Sequence, residues 1–239
     1  MTEANNNIEF SESIRVDADG RTLLIFRDGE WQKWQRFDES TEKFYKMIFV
    51  APEKPPTVEI SGIKMHVTQD GNPEIDTDRK LKALGKVHGK MLDTCCGLGY
   101  TASALAAKNE ISGVLCIERD ENMLALCRDN PFSRALFESP KIELRRGDSA
   151  EIIKTLDDRS FDGILHDPPR FSLSPGLYEQ QFYNECFRVL QHRGKMYHYT
   201  GDPNRETRKR GLQERTAERL KTAGFSKVKL AYQGVWAMK

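Results

Sequence analysis

The sequence has no apolar run that approaches the roughly 18 consecutive residues needed to span a bilayer, which excludes an inserted membrane protein. Its amino terminus lacks the basic start and apolar core of a secretory signal, so we expect a cytoplasmic protein. A C-x-x-C pair, which would indicate a zinc site or a redox dithiol, is missing among the five cysteines, Cys95, Cys96, Cys116, Cys127 and Cys186. We therefore expect a protein without a bound metal.

The pattern of the chain changes near residue 75. Residues 1–75 hold short β-favouring runs between turn signals, which predicts a small strand-rich unit that binds substrate or acts as a lid. In residues 76–239 strand and helix patterns alternate, which predicts an α/β fold with a doubly wound, mostly parallel, seven-stranded sheet. The last two strands, 227–232 and 234–238, are joined by almost no residues, so the C-terminal strand must be antiparallel.

A glycine-rich turn follows the first strand of the second region. It runs from Asp93 to Tyr100 and opens a helix, and its glycines permit a tight bend and a close approach of backbone to a ligand. Glu118 ends the next strand, about 20 positions after Gly97, where a carboxylate can accept hydrogen bonds from ribose hydroxyls. The sequence therefore predicts an adenosine-containing cofactor.

Gly97-x-Gly99-x-x-Ala102 also satisfies the dinucleotide fingerprint, so hydride transfer is an alternative. Asp93 argues against it, because a carboxylate before the turn would repel a pyrophosphate but attract an ammonium or a sulfonium. Asp148, after the third strand, offers a carboxylate to an adenine amino group, and Asp-Pro-Pro after the fourth strand has no role in hydride transfer. Methyl transfer is the better interpretation.

These motifs resemble those of the class I, Rossmann-like S-adenosylmethionine-dependent methyltransferases over residues 76–239. They are most similar to an archaeal family of predicted methyltransferases with an Asp-Thr-Cys-x-Gly-Leu-Gly-Tyr-Thr turn and an Asp-Pro-Pro-Arg-Phe-Ser site, and the similarity extends into residues 60–66. One departure is a cysteine where many relatives have the first glycine of the turn. The resemblance implies S-adenosylmethionine as cofactor and a set of cofactor-binding residues, Asp93, Cys95, Gly97, Gly99, Tyr100, Glu118, Asp148 and Ser149.

The segment Asp167-Pro168-Pro169-Arg170-Phe171 is the candidate catalytic site. Methyl transfer needs a nucleophile held in line with the sulfonium carbon, and two prolines make a rigid turn without N–H donors. Its carbonyls and the Asp167 carboxylate can together accept both hydrogens of an amino group and direct the nitrogen lone pair at the methyl. In the amino-methyltransferases that the motif resembles, the fourth residue is aromatic and stacks on a planar group. Here Arg170 takes that place and the aromatic residue follows it.

RNA is the acceptor that we favour over protein or a small molecule. The motif also resembles ribosomal RNA methyltransferases, and the strand at 196–201 lacks the cysteine that a covalent attack on cytosine would need. A helix over 205–221 carries seven basic residues against three acidic ones, and such a cluster can contact phosphates. A solvated helix face is the more common explanation of such a charge run.

Several residues and functions keep two interpretations. His166 and His198 either take a proton after transfer or are hydrogen-bonded strand-end histidines. Tyr100 either covers the cofactor or wedges the start of a helix. Aminopropyl transfer from decarboxylated S-adenosylmethionine stays an alternative, because polyamine synthases share this fold with a strand-rich N-terminal unit. The other alternative function is that of a non-catalytic subunit that binds the cofactor.

Overall fold

A computed structural model describes residues 9–66, 68, 71–201 and 207–239, with backbone alone for residues 9–11 and 207–210. The chain divides into two compact units, Met1–Asp76 and Thr77–Lys239. Across the described residues, no helix combines the length and apolar character that a bilayer crossing requires.

The first unit contains two four-stranded antiparallel sheets, with strand orders β1-β2-β3-β4 and β5-β6-β7-β8. Side chains alternate between the two faces of a strand, so every second residue faces the interior. Ile14 and Val16 on one strand, and Tyr45 and Met47 on another, are buried in this way. The strands are β1 Glu9–Ser11, β2 Ile14–Val16, β3 Leu23–Arg27, β4 Glu30–Lys33, β5 Gln35–Asp38, β6 Lys43–Ile48, β7 Thr57–Ile60 and β8 Ile63–Lys64.

The rest of the chain alternates strands with helices. The strands are β9 Gly89–Asp93, β10 Ile111–Glu118, β11 Ile142–Arg146, β12 Phe161–His166, β13 Leu190–Tyr199, β14 Lys227–Ala231 and β15 Gly234–Met238. The helices are α1 Pro73–Leu84, α2 Tyr100–Ala106, α3 Glu121–Asp129, α4 Ala135–Glu138, α5 Ser149–Ile152, α6 Gln180–Val189 and α7 Thr207–Thr222.

The seven strands form one sheet in the order β11-β10-β9-β12-β13-β15-β14. The pairs from β11 to β13 are all parallel, whereas β15 is antiparallel to both of its neighbours. The predicted fold is therefore confirmed, including the antiparallel C-terminal strand. The chain leaves β9 toward β10 and later returns on its other side with β12, so the strand order reverses at β9. Ligands of open α/β sheets bind beside such a reversal, at the carboxyl ends of the strands.

The helices bury the faces that their sequences predict. α6 buries residues at helical spacing, Phe182, Tyr183, Cys186 and Val189, in a core shared with β12 and β13. α3 begins after Asp120, whose carboxylate accepts hydrogen bonds from the backbone N–H groups of Asn122 and Met123 at 3.0 and 3.3 Å. These contacts fix the elements that follow the strand ends, where the candidate site lies.

Candidate active site

The glycine-rich turn connects β9 to α2 and requires glycine for two reasons. Gly97 and Gly99 both have positive φ angles, 51° and 77°, which residues with a side chain rarely adopt. A β-carbon at Gly99 would also lie only 2.2 Å from Cδ1 of the buried Leu136. The turn therefore makes the tight bend that its glycines permit, and Gly99 packs against the Leu136 side chain.

Asp93 ends β9 and is completely buried. Its Oδ2 accepts a hydrogen bond from the Thr101 hydroxyl at 2.6 Å, but among the described residues no group hydrogen-bonds to Oδ1. Burial raises the pKa of this carboxyl from 3.8 to about 7. A buried acceptor without a donor is costly, so this oxygen is suited to receive an N–H group from a ligand.

Glu118 ends β10, the strand beside β9, and bridges two segments of backbone. One carboxylate oxygen accepts from the N–H of Gly97 at 2.9 Å, and the other accepts from the N–H of Asp120 at 2.8 Å. Burial raises the pKa of Glu118. The side chain is thus held directly against the glycine turn, and its contact with ribose stays a prediction.

Asp148 follows β11 and caps α5, accepting from the N–H of Ala150 at 2.8 Å. Its second oxygen lies 3.1 Å from the guanidinium of Arg119, and both side chains of this ion pair are exposed to solvent. The hydroxyl of the buried Ser149 donates to the backbone carbonyl of Thr94. Ser149 therefore fixes the start of the glycine turn, while Asp148 is accessible at the rim.

Asp167 follows β12 and forms an ion pair with Lys80, whose Nζ lies 2.6 Å from its Oδ2. Lys80 belongs to α1 and is only 2% exposed, and its ammonium also lies 4.5 Å from the centre of the Tyr199 ring. This lysine is not among the site residues predicted from the sequence. Helical spacing could have found it, because Lys80 shares one buried face of α1 with Thr77, Leu81 and Leu84.

The Asp-Pro-Pro turn is anchored by Tyr178, whose buried hydroxyl donates to the Pro169 carbonyl at 2.9 Å. That carbonyl is therefore already engaged. Pro168 is buried, whereas Arg170 is exposed and 48% of Phe171 is accessible to solvent. The Phe171 ring meets Tyr178 edge-on at 5.5 Å. An exposed aromatic ring and a guanidinium thus lie directly after the candidate catalytic carboxylate.

His166 and His198 pair across β12 and β13 and are completely buried. Nε2 of His166 lies 3.0 Å from the Leu177 carbonyl, which can only accept, so Nε2 carries the proton and Nδ1 accepts from Thr94 Oγ1 at 2.6 Å. Burial lowers the pKa of His166 to about 3 and that of His198 well below its usual value. His166 is therefore a neutral, fully engaged strand-end histidine, and both histidines are poor proton acceptors.

The parallel strands bring four of the carboxylates together, since Asp93, Glu118, Asp148 and Asp167 follow the carboxyl ends of β9, β10, β11 and β12. Tyr100, in contrast to these carboxylates, is turned into the protein. Its buried hydroxyl accepts a hydrogen bond from Asn130 Nδ2 at 2.9 Å, and its ring packs at the start of α2. Cys95 lies partly exposed in the turn, and burial of its thiol raises the pKa well above its usual value.

The predicted basic helix corresponds to α7, with Arg205 and Glu206 outside the described residues. The side chains of Arg208, Lys209 and Arg210 also lie outside the description. Arg215 and Lys221 are exposed, but Arg219 turns inward and donates to the backbone carbonyl of Tyr178. The guanidinium of Arg219 is thus used within the protein.

Known proteins match the chain in three ways. A family model described as "Methyltransferase domain" matches residues 91–194. The uncharacterized protein MJ1233 of Methanocaldococcus jannaschii is 40% identical over 236 residues, which cover 98% of this chain and 79% of that protein. The polyamine aminopropyltransferase of Lachnospira eligens is 24% identical over 109 residues, covering 45% of this chain and 38% of that protein. The solved spermidine synthase from Thermotoga maritima is similar in fold, with a TM-score of 0.65 at 16% identity, covering 86% of this chain and 70% of that one.

Proposed function

We propose that this chain, which belongs to the same family as protein MJ1233 of Methanocaldococcus jannaschii and has the class I methyltransferase fold, transfers a methyl group from S-adenosylmethionine. The observation that carries the proposal is the buried Oδ1 of Asp93, which lacks a hydrogen-bond donor among the described residues. It lies at the strand reversal beside a glycine turn, where an ammonium group would satisfy it. The methyltransferase family model, which covers this strand and turn, supports the same cofactor.

The other cofactor contacts follow from the strand order. Glu118 would bind the ribose hydroxyls, since its carboxylate already lies against the turn at Gly97. Asp148, accessible at the rim of the next strand, would accept from the adenine amino group, with Ser149 holding the turn beside it. Gly97, Gly99 and the partly exposed Cys95 would line the methionyl part with backbone. Tyr100 would support these residues indirectly, because its hydrogen bond with Asn130 fixes the start of α2.

The acceptor would be placed by the Asp167-Pro168-Pro169 turn. When bound, S-adenosylmethionine supplies an electrophilic methyl carbon on a positively charged sulfur. Asp167 would accept a hydrogen from the acceptor nitrogen and so aim its lone pair at that carbon, in a geometry that the Lys80 ion pair holds fixed. Asp167 or water would then take the proton that the acceptor nitrogen releases once it has received the methyl group.

The support for the acceptor class comes from side chains on the surface. The exposed ring of Phe171 and the exposed guanidinium of Arg170 can stack on a planar, nitrogen-bearing group. Arg215 and Lys221 on α7 can contact phosphates. We therefore favour a base in RNA over a protein or a small molecule.

Aminopropyl transfer is the second candidate function. It is favoured by the polyamine aminopropyltransferases and the spermidine synthase that the chain resembles in sequence and in fold. Lys80 argues against it, because its ammonium neutralises Asp167, the carboxylate that would otherwise attract a cationic amine.

Labelled cofactor distinguishes the two functions. We expect the protein to move a labelled methyl group to an acceptor in RNA, protein or small-molecule fractions. Asp167→Asn should lower that transfer at least about 100-fold, because loss of a positioned catalytic group has effects of this size. Asp157→Asn, a change of an exposed aspartate nine positions before β12 ends, is the control and should transfer normally. Release of methylthioadenosine with putrescine and decarboxylated cofactor, without methyl transfer, would overturn the proposal.

A further inference from the structure

The Asp-Pro-Pro loop, residues 167–178, is closed at its base by the side chain of His166. The Nε2–H group of this histidine donates to the backbone carbonyl of Leu177, 11 positions later in the chain, at 3.0 Å. Tyr178, the next residue, donates from its hydroxyl to the Pro169 carbonyl at 2.9 Å. These two hydrogen bonds tie the end of the loop to its beginning, where the proposed acceptor would bind.

The same imidazole ring also contacts the glycine turn. Its Nδ1 accepts from the hydroxyl of Thr94 at 2.6 Å, whereas the Leu165 carbonyl lies farther from that hydroxyl, at 3.4 Å. Thr94 directly follows Asp93 and begins the glycine turn, and its backbone carbonyl accepts from the Ser149 hydroxyl. One side chain therefore bridges the two turns that would hold the cofactor and the acceptor.

Histidine suits this position because a neutral imidazole carries a donor and an acceptor on one rigid ring. Burial lowers the pKa of His166 to about 3, so the ring keeps both roles at neutral pH. His198, its paired residue on the neighbouring strand, is equally buried, yet its Nε2 has no hydrogen-bond partner among the described residues. Burial in this core does not by itself supply partners for both ring nitrogens, so the two contacts of His166 need a further explanation.

We propose that His166 is a positioning residue, which makes the order of the Asp-Pro-Pro loop depend on a bound cofactor. The inference rests on the proposed function and deepens it, since it assigns how cofactor binding would prepare the acceptor site. A cofactor that immobilises the glycine turn would fix the Thr94 hydroxyl, and His166 would pass this restraint to the Leu177 carbonyl. Hydrogen bonds in a buried network strengthen one another, so the loop should open less often in the bound protein than in the free protein.

Hydrogen exchange in the full chain tests this coupling without knowledge of the acceptor. The probe is S-adenosylhomocysteine, and the readout is the exchange rate of the backbone amides of residues 170–178. In the wild-type protein a saturating concentration of the probe should slow this exchange about ten-fold, the size expected for one additional hydrogen bond in the closed loop.

Two variants each remove one half of the bridge. In His166→Asn the amide takes the place of Nδ1, so it can contact Thr94 but not Leu177. In His166→Gln the amide takes the place of Nε2, so it retains the contact with Leu177 and loses the one with Thr94. Both variants should bind the probe and lose most of the slowing, because either half alone leaves the two turns unconnected.

Matched controls separate coupling from packing. His198→Asn makes the same change on the paired residue and leaves the amide beside the Tyr183 hydroxyl, which lies 3.2 Å from Nδ1. It should lower the melting temperature and keep the slowing. Thr94→Val removes the bridging hydroxyl at nearly constant volume and should lose the slowing, whereas Thr94→Ser retains the hydroxyl and should keep it. Thermal melting shows which variants are folded, and the Thr94 pair tests the bridge even where a histidine variant does not fold.

The outcomes distinguish the inference from the proposed function. A wild-type protein that binds the probe without slower exchange in the loop overturns the inference and leaves the proposed function standing. The same holds if Thr94→Val and a folded His166 variant keep the full slowing, or if His198→Asn loses it as well, since packing would then explain the effect. Failure of the wild-type protein to bind the probe overturns the proposed function, and the inference with it.

Discussion

At the scale of single residues, Asp93 would couple the proposed binding of cofactor to pH. Its pKa is raised to about 7 by burial, so near neutrality the free protein holds a proton that an unfolded aspartate has already released. Between about pH 4 and pH 7 this residue therefore makes the free protein less stable as pH rises. A cationic ligand favours the ionised carboxylate and should displace the proton.

We expect the affinity for S-adenosylmethionine to rise between pH 6 and pH 8, with protons released on binding. Calorimetry in buffers of different ionisation enthalpy measures both effects. In Asp93→Asn the affinity should be lower and should vary less with pH. An affinity that is flat over this range in the wild-type protein would mean that Asp93 does not contact the cation.

Glu118 gives a second prediction at this scale. Its carboxylate would accept hydrogen bonds from the ribose hydroxyls in addition to those from the backbone. Glu118→Ala should therefore weaken S-adenosylmethionine binding about ten-fold or more, as expected for the loss of hydrogen bonds to a charged group. Glu121→Ala, an exposed change three positions later, is the matched control. Equal affinity of both variants in the same titration would remove Glu118 from the cofactor site.

Individual site residues could be predicted where the sequence places them at a strand end. Asp93, Glu118, Asp148 and Asp167 each follow a predicted strand, and the structure places each at the edge of the sheet. Their roles stay predictions. Lys80 could not be paired from the sequence, because 87 positions separate it from its partner and only the packing of α1 brings the two together.

At the scale of elements, the junction between β9 and α2 depends on backbone conformation. Gly99 has a φ of 77° and no space for a β-carbon, so Gly99→Ala should destabilise the fold by about 1–3 kcal/mol. Gly211→Ala makes the same change within α7, where no atom lies within 4 Å of the added carbon, and should stabilise by about 0.5–1 kcal/mol. Opposite shifts in melting temperature are therefore expected, and a fall of equal size in both would contradict this account of the turn.

Element boundaries show what the sequence pattern leaves open. The apolar spacing of residues 178–190 predicts a helix from Tyr178, but the helix begins at Gln180, because Glu179 is extended and a separate 3-10 turn at Pro175–Tyr178 precedes it. The β-favouring run at 195–199 predicts a strand from Lys195, but β13 begins at Leu190. The polar stretch before Lys195 indicates a turn. In the structure a register shift between β12 and β13 accommodates these extra residues within the strand, so that Phe161 pairs with Leu190. Tertiary pairing therefore decided where β13 begins.

At the scale of the whole molecule, the alternation of strands and helices was sufficient to predict the sheet, because hydrophobic periodicity is a property of the chain itself. The assignment of function is harder, since methyltransferases and aminopropyltransferases share the fold and the chain resembles proteins of both kinds. The role of residues 1–75 in substrate binding stays a prediction.

Uptake of cofactor by the purified full chain is the measurement that tests the central claim most directly. Calorimetric titration should show saturable binding of S-adenosylmethionine and S-adenosylhomocysteine, with no heat from a nicotinamide dinucleotide. Binding of the dinucleotide together with no response to either adenosyl compound would contradict the claim that spaced carboxylates around this glycine turn recognise an adenosyl sulfonium.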